Sequence, residues 1–278
     1  MSATLTREAP MRASATPAIK VTQARVLRSE WTKFRSLRSI GWTLLVAVVL
    51  SVGIGALLSA VTAGQWDTFS PADRQSFNAI STSLDGFSFS QIAVGVLGVL
   101  LISGEYSTGM IRSSLTAVPK RLPVLWAKLA VLAGIGFAVT LVASVVSFFL
   151  GQTLLGGQHI DASITDPGAL RSVFGAALYV TVAGLVGLGL GAVLRNTAAA
   201  ISTFVGVFFV LPPITQLLPS SWSSHFVQYL PSNAGEALYG GTHGVTNALS
   251  PWTGFAVLAA YAVVIIGAAA WRMKTVDA

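Results

Sequence analysis

Ile40-Gly41-Trp42-Thr43-Leu44-Leu45-Val46-Ala47-Val48-Val49-Leu50-Ser51-Val52-Gly53-Ile54-Gly55-Ala56-Leu57-Leu58-Ser59-Ala60-Val61 is a run of 22 residues without one charged side chain. As a helix rising about 1.5 Å per residue it spans about 33 Å, which matches a hydrocarbon core roughly 30 Å thick. Lipid offers no partner for unpaired backbone groups, so such a run crosses a membrane as a helix. Five further stretches meet or nearly meet the same requirement. The spans are set at about 40–61, 87–106, 125–153, 172–194, 197–218 and 252–271.

Composition agrees with this reading. The chain has 278 residues, 53% of them hydrophobic and only 10% charged, against about 25% charged in a soluble domain. Alternating strand patterns about ten residues long, the mark of an outer-membrane barrel, are absent. The fold class expected is all-α: a polytopic membrane protein of six transmembrane helices over residues 40–272. The second span is the shortest. Its charge-free part covers residues 87–103, 17 in number, so the helix must place Glu105 and Tyr106 at the interface or continue through them.

The positions of Lys and Arg orient the chain. Six spans put both termini on one side, and that side carries 15 of the 17 bases. Only Arg74 and Arg171 lie opposite, together with Asp67, Asp73, Asp85, Asp161, Asp166 and Glu236. Short loops rich in base stay in the cytoplasm, so both termini are expected there. Insertion and anionic lipid account for the formal charge of +7, and no nucleic acid is needed to explain it. The absence of cysteine excludes disulfides and thiolate metal sites.

Residues 1–20, rich in Ala, Ser, Thr and Pro, read as a disordered cytoplasmic tail, and 273–278 as a second short tail. Between the first tail and the first span, residues 21–39 change character. Ala24, Leu27, Trp31, Phe34 and Leu37 recur at steps of three or four, with Arg25, Arg28, Lys33 and Arg35 mainly on the other arc. This predicts an amphipathic helix in the interface, its aromatic face on the acyl boundary and its bases on lipid phosphate. It reads equally as an anchor or as a lever touching a cytoplasmic partner. Glu30 and Lys33 are spaced to pair across one turn.

Charge, turn chemistry and helix punctuation concentrate after the second span, in Gly104-Glu105-Tyr106-Ser107-Thr108-Gly109-Met110-Ile111-Arg112 and Pro119-Lys120-Arg121. On a continuing helix Glu105 and Arg112 share a face, almost two turns apart. Ser107, Thr108 and Gly109 supply a bend, and Pro119 and Pro123 stop the helix. The product is a rigid cytoplasmic protrusion able to receive a push. The plainer alternative is that Glu105 ends a span while Arg112 snorkels to the interface.

Catalytic and metal readings find no support. No Gly precedes any Lys, so no phosphate-cradling P-loop exists. His159, His225 and His243 fall in expected outer loops without zinc-binding spacing. Leu154-Leu155-Gly156-Gly157-Gln158 imitates an ATPase signature by coincidence, at the outer end of the third span. No charge sits at the centre of a span, which argues against an ion-coupled carrier. That carrier is the main rival reading, and a non-transport membrane scaffold is the other. Gly184, Gly187 and Gly191 form a small-residue stripe suited to close helix packing, either within the chain or at a dimer seam. The fifth span ends around Leu211-Pro212-Pro213. Beyond it, Trp222, His225, Phe226, Tyr229 and Tyr239 suggest a headgroup anchor.

Arg28-Ser29-Glu30-Trp31-Thr32-Lys33-Phe34-Arg35-Ser36-Leu37-Arg38 resembles the start of type 2 ABC transporter permeases of the kind common in actinobacteria. Glu105, Gly109, Arg112, Leu115, Pro119 and Arg121 match that family's pattern after its second span. Leu230-Pro231-Ser232-Asn233-Ala234-Gly235 is similar to its loop before the last span. The resemblance, over about residues 21–275, implies a permease subunit in the bacterial inner (plasma) membrane that exports an amphiphilic substrate. It implies a second permease copy or paralogue and two separate ABC ATPase subunits, which hold ATP and Mg while this chain holds no cofactor. Glu105 to Arg121 would form the main coupling helix, and Arg195-Asn196-Thr197 a short second contact. The loop before the last span would contribute re-entrant outer helices acting as an exit gate.

Overall fold

The computed structural model describes residues 22–107, 122–215, 217, 225–241, 245 and 247–275. These are 86% helical, with no strand among them. Six of the helical segments are long and apolar enough to cross a membrane. The leader helix α1 (Gln23–Ser36) stops where Leu37 turns extended, at φ −85° and ψ 107°. The first span, α2 (Arg38–Gln65), then starts as a separate helix. Two short helices follow, α3 (Pro71–Ser76) and α4 (Ala79–Leu84). Each has a side-chain cap: the Ser70 hydroxyl accepts from the Asp73 amide at 3.2 Å, and the Asn78 carboxamide from the Ile80 amide at 3.0 Å. Such caps satisfy amides that the first turn leaves without partners.

The second and third spans are α5 (Phe87–Ser107) and α6 (Leu122–Leu155). At 34 residues, α6 is about 51 Å long at 1.5 Å per residue. It therefore projects beyond an apolar core of about 30 Å. The fourth span, α7 (Ala169–Leu194), ends in a left-handed cap at Arg195, whose amide donates to the Gly191 carbonyl at 3.0 Å. The fifth begins as α8 (Thr197–Val205), passes through a π turn over Gly206–Val210, and closes as α9 (Leu211–Thr215). Pro212 and Pro213 thus sit inside this helix. A proline ring collides with the carbonyl four residues back. The π turn, in which the Leu211 amide reaches the Gly206 carbonyl, shifts the register just ahead of that collision. At the far end, α10 (Pro231–Glu236) precedes the last span, α11 (Pro251–Thr275).

α5 and α7 form the centre, and the closeness of their crossing comes from missing side chains. A Cβ on Gly98 would lie 2.1 Å from the Gly184 carbonyl oxygen, and one on Gly187 would lie 2.2 Å from that of Gly95. Gly191 meets Val99 and Ile102 in the same way. The stripe Gly184, Gly187 and Gly191 is therefore a seam within the chain, filled by α5. Without a hydrophobic drive between helices in lipid, such backbone approach and the dispersion it permits hold the pair.

A second junction joins α2, α4 and α6 through hydroxyls and an amide. The Ser147 hydroxyl donates to the Ser83 carbonyl at 2.6 Å, and the Gln152 amide to the Ala79 carbonyl at 3.0 Å. The Gln152 oxygen in turn accepts from the Ala162 amide at 2.7 Å. Gly187→Leu should destabilise the protein by about 1–3 kcal/mol through overpacking. Gly53→Ala, where a Cβ meets nothing within 4 Å, should leave the unfolding midpoint in detergent unchanged or slightly raised.

Candidate coupling site

The buried stripe of α1 is Val26, Glu30 and Phe34, four residues apart and so on one face. This buried stripe shares only Phe34 with the apolar arc of Ala24, Leu27, Trp31, Phe34 and Leu37 read from sequence. Trp31, Leu27 and Leu37 are largely exposed, whereas a carboxylate sits at the middle of the buried stripe. Val26 packs with Val124 and Ala127 of α6, and Phe34 joins Ile40, Leu125 and Leu129. The Gln23 side chain donates to the Pro123 carbonyl at 3.1 Å. The leader is thus docked on the first turns of α6. Arg28 and Arg35 lie on its exposed side.

Between the two apolar contacts, four charges close a ring. Lys33 Nζ donates to Glu30 Oε1 at 2.9 Å and to Glu105 Oε1 at 3.1 Å. Lys128 Nζ donates to Glu30 Oε2 at 2.7 Å and to Glu105 Oε1 at 2.8 Å. The ring alternates in sign and sums to zero formal charge. It joins α1, the end of α5 and the start of α6. Glu30, Glu105 and Lys128 are buried, at 6%, 9% and 5% exposure, while Lys33 keeps one edge in solvent. Glu105 Oε2 is buried and accepts no hydrogen bond from the described residues.

Burial alone pulls the Lys33 ammonium toward losing its proton. The hydrogen bond and charge of Glu30, followed by the charge and hydrogen bond of Glu105, outweigh that and raise its pKa above the ordinary value. Beside the ring lies a cavity of about 350 Å³, walled on its apolar side by Phe34, Leu37, Ile40, Leu97 and Val131.

The turn between α7 and α8 borders the same place. The Arg195 guanidinium stands 5.2 Å from the centre of the Tyr106 ring, and the Thr197 hydroxyl donates to that of Ser103 at 3.0 Å. Asn196 caps α8 by accepting from the Ala199 amide at 2.9 Å. Arg272 of α11 donates to the Val193 carbonyl. Of the residues read as the coupling segment, Glu105 is in the ring, whereas Gly109, Arg112, Pro119 and Arg121 lie outside the described residues. The sequence reading missed Lys128, which it counted only among the 15 bases on the side of the termini. Its signal was a lone lysine in the first turns of an apolar helix, a placement that demands a partner.

No curated protein matches the chain. The model of the ABC-2 family transporter protein matches residues 26–212, a range that begins inside the docked leader and runs through five spans. With six apolar helices around that match, the chain belongs to the ABC-2 transporter family and is a multi-pass permease of an ABC-type transporter.

Proposed function

We propose that this permease is the membrane subunit of an ATP-driven exporter of amphiphilic cargo. Family membership implies an ATPase subunit as partner and a dimeric permease in general. In our reading two ATPases serve two permease copies or paralogues, and ATP with Mg stays in the ATPases. The leader end of the bundle faces the cytoplasm, as the distribution of Lys and Arg supports. A push on α1 or on residues 108–121 then reaches the spans through the ring of Glu30, Lys33, Glu105 and Lys128. That ring is the observation that carries the proposal, because it ties the interfacial helix to two spans at once.

Energetics suit a transmitting contact. Desolvation offsets most of the attraction in a buried ion pair, yet removing one partner costs about 3–5 kcal/mol. The ring therefore adds little net stability while strongly fixing which arrangement is allowed. The unpartnered Glu105 Oε2 costs about 1–3 kcal/mol.

Co-expression with candidate ATPases should yield vanadate-sensitive ATP hydrolysis in liposomes, stimulated by amphiphilic cargo. Transport by the chain alone on a proton gradient would overturn the exporter reading in favour of an ion-coupled carrier. Glu105→Ala should uncouple hydrolysis from transport while insertion persists. Lys128→Met combined with Glu105→Gln should be less damaging than the sum of the two single changes, as a double-mutant cycle on unfolding midpoints would read out.

The Lys33 contribution has a defined pH window. Because its folded pKa is raised, the contribution is full below the unfolded value of about 10.4 and is lost as pH rises through the folded one. The midpoint difference between wild type and Lys33→Met should be constant from neutral pH to about 9 and vanish in stronger alkali.

A further inference from the structure

At the end of the bundle away from the leader, a second cavity of about 260 Å³ lies between α5, the fifth span and α10. Its wall is divided by chemistry. On one side stand Phe89, Phe208, Phe209 and Pro212, with Phe89 and Phe209 edge to face at 6.1 Å between ring centres. Phe208 and Phe209 belong to the π turn, a distortion that often marks a functional site. On the other side stand Asp85, Ser88, Gln91, Ser232, Asn233 and Glu236. Two carboxylates line the cavity, and among the described residues no Lys, Arg or His does.

A deeper layer holds this polar wall in place. The Tyr179 hydroxyl donates to Gln91 Oε1, and lies 3.4 Å from Glu236 Oε1. The Tyr239 hydroxyl and the Ser88 hydroxyl are 2.9 Å apart. The Gly235 backbone lies against the Tyr179 ring, where a Cβ would come within 2.2 Å, so α10 is seated firmly on α7. Ser232 is 2% exposed, and its hydroxyl has no hydrogen-bond partner among the described residues although it lines the cavity. A buried hydroxyl without a partner is costly, and a donor-rich ligand in the cavity would complete it.

We propose that this cavity binds the cationic head, an ammonium or guanidinium, of an amphiphilic molecule. An ammonium offers three donors and no acceptor, which matches a wall of carboxylate, hydroxyl and amide oxygens and excludes anions. The phenylalanine side takes the adjoining methylenes and favours a cation near its ring faces. A metal ion fits poorly, since no group of three metal-ligating side chains occurs among the described residues. The cavity is just under the roughly 300 Å³ where pockets for whole drug-sized ligands begin. It therefore holds a head group and a few carbons, leaving the tail in lipid. As the site of the cargo on its exit side, the cavity rests on the exporter reading; as a cation site, it stands on its own geometry.

The full chain in nanodiscs, titrated calorimetrically with octylammonium, should show saturable binding. 1-Octanol and octyl sulfate should give only the partition heat of empty nanodiscs. Glu236→Gln and Asp85→Asn should each weaken octylammonium by about tenfold or more, as expected for losing a hydrogen bond to a charged group. If Glu236→Gln does not fold, Asp85→Asn and Phe209→Ala carry the same test. Equal binding of 1-octanol, or affinities within about twofold of wild type in the folded variants, would overturn the site. Adding the ATPase partner separates the two readings. ATP-driven export of octylammonium unchanged in both carboxylate variants overturns the site and leaves the exporter standing. Carboxylate-dependent binding with no ATP-driven export does the reverse.

Discussion

The alternating ring of Glu30, Lys33, Glu105 and Lys128 is the constraint on which the leader end of this permease depends. Each charge would be untenable in a low-dielectric setting alone, and each is acceptable because the next one is within hydrogen-bond reach. The ring fixes three helices together, since moving any one strands a charge. Apolar packing at Val26 and Phe34 places α1 on α6, but such packing tolerates sliding and rotation. The paired charges remove that freedom.

Deeper in the bundle the constraint is steric. α5 and α7 approach so closely along Gly95, Gly98, Gly184 and Gly187 that a shift of one past the other would bring backbone into collision. The Arg195 to Thr197 turn, stacked on Tyr106 and bonded to Ser103, ties the start of the fifth span to the end of α5. At its other end α7 carries Tyr179, against which α10 is seated. Between the charged ring and the aromatic and carboxylate-lined cavity the packing thus combines the glycine-permitted contact of α5 with α7 and the seat of α10 on the Tyr179 ring.

The proline pair marks a local departure from regular helix at the far end. At the leader end Asn196 caps α8 and Arg272 is tied to the Val193 carbonyl. At the far end the fifth span passes through a π turn before Pro212, and its last turns depend on fewer regular backbone bonds.

The sequence by itself determined the membrane class, the six apolar helices and the family resemblance. Each depends on runs of like residues or on local spacing, and lipid enforces helix wherever such a run occurs. The Glu30 and Lys33 pairing was legible for the same reason, being one helical turn. Only the tertiary structure decided that Lys128 completes the ring, that the stripe of Gly184, Gly187 and Gly191 faces α5, and that the protein-facing side of α1 centres on Glu30. Those outcomes join residues 72 and 98 positions apart, and the choice among several possible partners is made by which helices pack. Periodicity names an apolar arc, but it cannot tell lipid from protein, because both are equally apolar to a leucine.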